Sequence, residues 1–204
     1  MLHSNSAWNR HRLAFSCLVR PRDPVKESLM KKTRTYEWTD PVALAAAMAG
    51  LSGADIGRAM AEGRIPSAPV ADLIGICDFH SSKGTVSVAF EPQEFHYNAL
   101  GSVHGGVIAT LIDIATGAAV HSLLKAGQGF TTLTLELKYH RAITVKSGRL
   151  VATAEVITRG REIVTAEAKI VDRNQRLFAT ATSTLMTFRL DSATSGDEGS
   201  PEGA

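Results

Sequence analysis

The sequence lacks any uninterrupted apolar run close to the roughly 20 residues that a membrane-spanning helix needs. Its longest apolar stretch, residues 107–124, is interrupted by Asp113, Thr116 and His121. Hydrophobic residues nevertheless make up 44% of the 204 residues, which is typical of a globular chain and not of a disordered one. The composition therefore predicts one folded domain with a packed core and no membrane partner.

Cysteine is scarce, because the chain has only Cys17 and Cys77. Two cysteines cannot build a disulfide framework, and a reducing cytoplasm is the expected location. The sequence has no C-x-x-C motif and no spaced set of cysteines and histidines, so no zinc site is expected. Four histidines also lack the spacing of metal ligands and are predicted to be structural or exposed: His80, His96, His121 and His140.

Charge is distributed unevenly, although the formal net charge is only +2. Residues 1–35 carry eight Lys and Arg against two acids, and residues 190–204 carry acids alone. Between them the two signs balance, which argues against a nucleic-acid-binding domain. The first segment has no apolar stretch of the kind a secretory signal needs. We expect a disordered basic leader, with a targeting segment or a true start at Met30 as alternatives, and a disordered acidic tail.

Residues 36–76 are predicted to form a helical N-terminal segment. Asp40 can cap a helix whose first residue is Pro41. The alanine-rich run 42–61 follows, and the glycines within it predict two short helices. The apolar residues 70–76 are expected to add one or two helical turns.

Strand patterns dominate residues 77–189 and surround one long helix. Residues 85–90 alternate at period two, and residues 104–124 are predicted to be the helix. Four further strands are predicted: Thr131–His140, Arg149–Thr158, Ile163–Asp172 and Leu177–Phe188. Their short connecting turns require antiparallel neighbours. The sequence thus predicts an α+β fold with an antiparallel sheet wrapped around the helix, and a second copy that helps bury the helix or extends the sheet.

The start of the long helix is a candidate oxyanion site. Gly105 and Gly106 lie where backbone N–H groups are unpaired and the helix dipole is positive. Because they lack Cβ atoms, a substrate can approach the backbone closely. The alternative interpretation of the two glycines is an ordinary turn. His104, considered without its neighbours, is interpreted as a capping or core histidine.

Asp113 lies further along this helix among apolar residues. A buried carboxylate needs a partner or a function, so Asp113 is either a catalytic group or a satisfied structural acid. Gly106, Thr110 and Gly117 share its helical face, which is small and polar. Gly105 precedes Asp113 by eight residues, about 12 Å along the axis, so one carbonyl cannot touch both. If both act, the site lies at a two-fold dimer interface.

Several motifs accompany Asp113 on both sides. They are Asn98, Gly101, His104-Gly105-Gly106, Leu111-Ile112-Asp113, Thr132–Tyr139, Arg159-Gly160-Arg161 and Thr165–Ala168. This set resembles the PaaI-type hotdog thioesterases, and the likeness spans about residues 65–188. Ser102, in contrast, lacks the G-x-S-x-G context of a serine hydrolase.

The resemblance implies a hotdog fold, paired into homodimers and often homotetramers, that hydrolyses acyl-coenzyme A thioesters. By motif position, Asp113 would be the nucleophile or the general base, and the Gly105 N–H would polarise the thioester carbonyl. Asn98 would hold the carbonyl or the attacking water, and His104 would support the carbonyl side. Thr132 would orient water near the carboxylate. No metal or organic cofactor is expected.

The sequence departs from the family near the end of the core strand. The family usually has a proline shortly after the strand's aromatic residue, whereas Ala142 is found here. This difference concerns coenzyme binding more than chemistry. Arg141, Arg159 and Arg161 are candidates for contacts with coenzyme phosphates, and solvated turn residues are the alternative.

Two rival functions share the thioester ligand. An enoyl-thioester hydratase of the same fold would need an acid/base pair aimed at the acyl chain, and no second pair is visible in the sequence. A non-catalytic acyl-coenzyme A binding module would gain nothing from Asp113. The sequence leaves the acyl group open, and it also leaves open whether Asp113 attacks directly or activates water.

Overall fold

The computed structural model describes residues 31–190. The helices are α1 (Pro41–Met48), α2 (Gly53–Ala61), α3 (Pro69–Ile74) and α4 (Gly105–His121). The strands are β1 (Ile76–Ser82), β2 (Thr85–Phe90), β3 (Gln128–Tyr139), β4 (Leu150–Arg159), β5 (Ile163–Asp172) and β6 (Leu177–Arg189). The predicted leader up to residue 30 and the predicted tail from residue 191 lie outside the described residues. Of the four helices in the described part, none is long and apolar enough to cross a membrane.

The six strands form one antiparallel sheet in the order β1-β2-β4-β5-β6-β3. Helix α4 packs against this sheet, and the predicted hotdog architecture is confirmed. β2 and β5 have the predicted bounds. β3 begins three residues earlier than predicted, because β6 continues to Arg189 and pairs with Gln128.

One strand, β1, is absent from the sequence prediction. Residues 70–76 are helical only as far as Ile74, because Gly75 has a left-handed φ of +71° that ends α3. The chain then enters β1, which lies at one edge of the sheet. Its residues Cys77 and Asp78 are both exposed. An edge strand without a regular apolar alternation gives no period-two signal.

Helix α4 supplies the centre of the core. The side chains of Leu111, Ile112, Ala115 and Ala119 are almost fully buried, at 0–1% exposure. They pack with apolar residues of β2 and β4 in one cluster. The helix ends at His121 and not at the predicted Leu124, because the Ser122 hydroxyl caps it by donating to Ala119 O and accepting from Gly84 N.

The N-terminal helices form a small cluster of their own, built on Leu44, Ala59 and Ile65. The predicted cap is present, since Asp40 accepts a hydrogen bond from Val42 N. The split into two helices is confirmed as well, and Ser52 caps the second by accepting from Asp55 N. These helices cover part of the α4 surface that the sequence analysis expected a second copy to bury.

Helix α2 contacts the end of α4 at a glycine. Gly53 N donates to Leu124 O at 3.0 Å. A Cβ atom added at Gly53 would lie 1.7 Å from the carbonyl oxygen of His121. Only glycine allows the two backbones to approach this closely.

Candidate active site

Asp113 and Thr132 form a hydrogen-bonded pair between α4 and β3. The Thr132 hydroxyl donates to Asp113 Oδ1 at 2.9 Å. Both residues are half-buried, so the carboxylate has one fixed partner and remains within reach of a ligand. The pair joins two residues that the sequence analysis selected on separate grounds.

An irregularity in β3 accompanies this pair. The pairing of β3 with β6 shifts register between Thr132 and Thr134, so that Leu133 is left between two paired positions. A bulge of this kind bends a strand and redirects a side chain, and bulges are common beside active sites. Leu133 itself is 49% exposed.

The first turn of α4 presents one unused backbone donor. His104 is the N-cap, and its Nδ1 atom accepts from Gly106 N at 2.9 Å. Val107 N donates to His104 O at 3.0 Å. Within residues 31–190, no group accepts a hydrogen bond from the Gly105 N–H. Of the two glycines, Gly105 therefore offers the free donor that an oxyanion site needs.

Tyr139 holds the other side of this turn. Its hydroxyl donates to Gly105 O at 3.0 Å. A Cβ atom added at Gly105 would lie 3.1 Å from the same hydroxyl oxygen. Sequence reasoning treated Tyr139 only as the aromatic end of a strand, because a contact across 34 residues leaves no local pattern.

Asn98 is engaged within its own loop. Its Oδ1 atom accepts from Leu100 N at 2.8 Å and from Ser102 N at 3.3 Å. Its amide nitrogen donates to the Ser102 hydroxyl at 3.2 Å. One hydrogen of this amide remains for a ligand, because an asparagine side chain carries two.

Within one chain these residues form two groups. Asp113 lies at the middle of α4 and pairs with Thr132 of β3, whereas His104 and Gly105 lie at the start of α4, where Tyr139 contacts Gly105. Gly105 and Asp113 are eight positions apart, which corresponds to about 12 Å of helix. The structure brings together the members of each group but not the two groups.

An apolar cavity of about 390 Å³ opens beside Asp113. Its walls come from α4, from β1, from the start of β3 and from the N-terminal segment. The residues that line it on α4 and β3 are Asp113, Ile114, Gly117, Ala118, His121 and Phe130. Burial lowers the pKa of the His121 imidazole, which favours its neutral form. The cavity leaves no local signal in the sequence, because its walls come from segments far apart in the chain.

The three candidate arginines occupy opposite ends of the sheet. Arg141 follows β3, donates to Leu177 O and lines a second cavity of about 320 Å³ that also includes Gly105. Arg159 and Arg161 are exposed at the turn between β4 and β5. The described residues contain no group of three or more His, Cys, Asp or Glu side chains arranged to hold a metal ion.

Comparison of the sequence with known proteins identifies its family. Residues 100–179 match the thioesterase superfamily. The chain is 30% identical over 120 residues to the "Putative esterase" of Saccharolobus solfataricus, covering 59% of this chain and 78% of that protein.

Solved structures give the same fold. The PaaI protein from the phenylacetic acid degradation operon of E. coli matches with a TM-score of 0.58 and 23% identity, over 67% of this chain and 96% of that one. A protein of Streptococcus mutans UA159, solved bound to acetyl CoA, matches with a TM-score of 0.51 and 26% identity, over 55% of this chain and 89% of that one. The chain therefore belongs to the thioesterase superfamily, as a hydrolase with the hotdog fold of PaaI-type thioesterases.

Proposed function

We propose that this protein hydrolyses acyl-coenzyme A thioesters to free acids and coenzyme A, with Asp113 as the catalytic carboxylate. The observation that carries the proposal is the Asp113–Thr132 pair at the edge of an apolar cavity. The carboxylate is oriented by one hydrogen bond, and the cavity beside it suits an acyl group. The acetyl CoA bound to the Streptococcus mutans relative supports a coenzyme A thioester as the ligand.

The proposed reaction uses Asp113 as a general base or as a nucleophile. As a base, it takes a proton from water while the water oxygen bonds to the thioester carbonyl carbon. The C–S bond then breaks, and the coenzyme thiolate receives the proton from Asp113. As a nucleophile, the carboxylate oxygen itself bonds to the carbonyl carbon, and the C–S bond breaks to release the coenzyme thiolate. Water then hydrolyses the resulting anhydride to the free acid and the Asp113 carboxylate, and the thiolate takes up a proton released in this step. Thr132 orients the carboxylate, and with it the attacking oxygen, in both routes.

We further propose that the oxyanion donor comes from a second subunit. The Gly105 N–H is free among the described residues, but it lies about 12 Å along the helix from Asp113. β3 is an edge strand of 12 residues, so one side of its backbone is open to pairing with another chain. A two-fold dimer joined through β3 would bring Gly105 of the partner subunit toward Asp113 and build the site twice. His104 and Asn98 would then support the carbonyl side.

Coenzyme binding is proposed at the Gly105 end of the site. Arg141 lines the cavity beside Gly105, and its donation to Leu177 O fixes the side chain while leaving other N–H groups for a phosphate. Arg159 and Arg161 lie at the opposite end of the sheet. They would reach the same coenzyme only across the dimer interface.

The test is release of free thiol from a panel of acyl-coenzyme A esters by the wild type, Asp113→Asn and Asp113→Ala. Glu167→Gln, a neutralised acid on the outer sheet face, is the matched control. We expect both Asp113 variants to lose at least about 10²-fold in kcat, and the control to keep wild-type activity.

Two outcomes would overturn this proposal. Thiol release at wild-type rates by folded Asp113→Asn would remove Asp113 from the chemistry. Tight binding of the esters without thiol release by the wild type would identify a binding module in place of an enzyme.

A further inference from the structure

The apolar cavity has a second wall that lies outside the matched family region. Residues 100–179 match the superfamily, whereas the N-terminal helices precede this range. The N-terminal residues that line the cavity include Leu44, Met48, Gly53, Ile56 and Met60. The cavity is therefore shaped in part by helices that lie N-terminal to the matched residues.

On α4, the lining residues form a continuous stripe that starts at the catalytic candidate. Ile114, Gly117, Ala118 and His121 follow Asp113 at one, four, five and eight positions. These spacings place them on one helical face. The stripe extends for about 12 Å along the axis, at 1.5 Å per residue. Gly117 allows the ring of Phe130 to pack against the middle of the stripe, because a Cβ atom there would lie 2.9 Å from that ring.

Helices α2 and α4 contact each other at the His121 end of this stripe. Gly53 and His121 meet there, and the His121 ring lies 5.6 Å from that of Phe130. Among the residues that line the cavity, Asp113 and His121 are the only ionisable ones. Asp113 and His121 stand at opposite ends of the stripe, and because burial lowers the pKa of His121 and favours its neutral form, the His121 end offers no charged partner to a charged group on a ligand.

We propose that this cavity binds the acyl group, and that the N-terminal helices make the enzyme selective for acyl chains of about eight to ten carbons. This inference rests on the proposed function, because it places the thioester carbonyl at Asp113. An extended chain of 1.52 Å bonds advances roughly 1.3 Å per carbon, so about 12 Å accommodates about nine carbons. Chains with a terminal carboxylate would bring a charge to an end of the cavity that offers no charged partner, and are disfavoured.

The test measures kcat/KM for saturated acyl-coenzyme A esters from two to sixteen carbons. Each buried methylene is worth about 0.8 kcal/mol, so kcat/KM should rise about fourfold for each methylene added and stop rising near ten carbons. Ala118→Leu adds bulk about 7.5 Å from Asp113 along the helix. It should move the optimum to about six carbons and lower kcat/KM for the ten-carbon ester at least tenfold.

Two further variants make the test specific. Met60→Ala enlarges the cavity from the N-terminal side and should move the optimum to longer chains. Ala45→Leu makes the same change as Ala118→Leu on an exposed position of α1 outside the cavity, and should leave the profile unchanged. Thermal unfolding of each variant confirms that it is folded.

The results separate this inference from the proposed function. If the wild type hydrolyses the esters but neither cavity variant shifts the chain-length profile, the cavity assignment is overturned and the thioesterase function stands. If the wild type hydrolyses none of them, the proposed thioesterase function is wrong. Calorimetric binding of decanoyl-coenzyme A then tests whether the cavity binds an acyl group. Binding that Ala118→Leu weakens at least tenfold and Ala45→Leu does not would uphold the acyl site, whereas equal binding by both would overturn it.

Discussion

The hydroxyl of Thr132 donates a 2.9 Å hydrogen bond to Asp113 Oδ1, from a strand that is irregular at this point to a helix 19 residues earlier in the chain. Hydrogen bonds to charged groups are worth about 1.5–3 kcal/mol. We therefore expect Thr132→Val to lower kcat roughly tenfold or more with little change in KM, because the carboxylate loses its orientation. Thr132→Ser keeps the hydroxyl and should restore most of the activity. Equal loss in the Val and Ser variants would contradict a positioning role.

The contact between Tyr139 and Gly105 predicts that substitutions at these two residues have non-additive effects on kcat. A Cβ atom at Gly105 would lie 3.1 Å from the Tyr139 hydroxyl oxygen, so Gly105→Ala should displace the first turn of α4 and lower kcat. Tyr139→Phe removes this oxygen. The double variant should then recover part of the lost kcat, and a double-mutant cycle of steady-state rates measures the coupling. Strictly additive losses would show that the two residues act independently.

The close approach of α2 to α4 at Gly53 predicts that a larger residue at this position destabilises the protein. Gly53→Ala would place a Cβ atom 1.7 Å from the His121 carbonyl oxygen, so α2 must move away from α4. We expect a loss of about 1–3 kcal/mol in the free energy of unfolding, measured by urea denaturation. The adjacent exposed substitution Ala54→Ser is the control and should change stability little. An unchanged unfolding free energy in Gly53→Ala would mean that α2 does not pack as described.

His121 predicts a pH dependence near neutrality. Burial lowers the pKa of His121 in the folded protein, so the unfolded chain takes up a proton at a higher pH than the folded chain does. The free energy of unfolding should not depend on His121 above the ordinary histidine pKa of about 6.5, and it should fall as the pH drops below this value. His121→Gln should flatten this part of the profile in urea titrations between pH 5 and 8. A profile that keeps its slope in this variant would assign the effect to another group.

The sequence predicts the fold and the candidate site to different extents. The strands between β2 and β6 and the helix α4 follow from periodicity and turn residues, because apolar alternation is a local property. Asp113 stands out for the same reason, as an acid in an apolar helix. The cavity does not follow, since the approach of Gly53 to His121 depends on packing between helices about 70 residues apart in the chain. The edge strand β1 is missed because its exposed side chains carry no apolar pattern.

The turn between β5 and β6 predicts a pH dependence at the acid end. Asp172 is buried, which by itself raises its pKa, but hydrogen bonds from Arg176 and from Asn174 N outweigh this effect and hold the pKa below its ordinary value. The folded protein therefore binds fewer protons here than the unfolded chain, and the stabilising contribution is complete above about pH 4. It disappears as the pH falls through the lowered value. Asp172→Ala should thus lower the melting temperature at pH 7, and the difference from wild type should shrink toward pH 3, whereas the exposed neighbour Arg173→Ala should show no such convergence. A difference that stays constant between pH 7 and pH 3 would mean that the charge of Asp172 does not stabilise the turn.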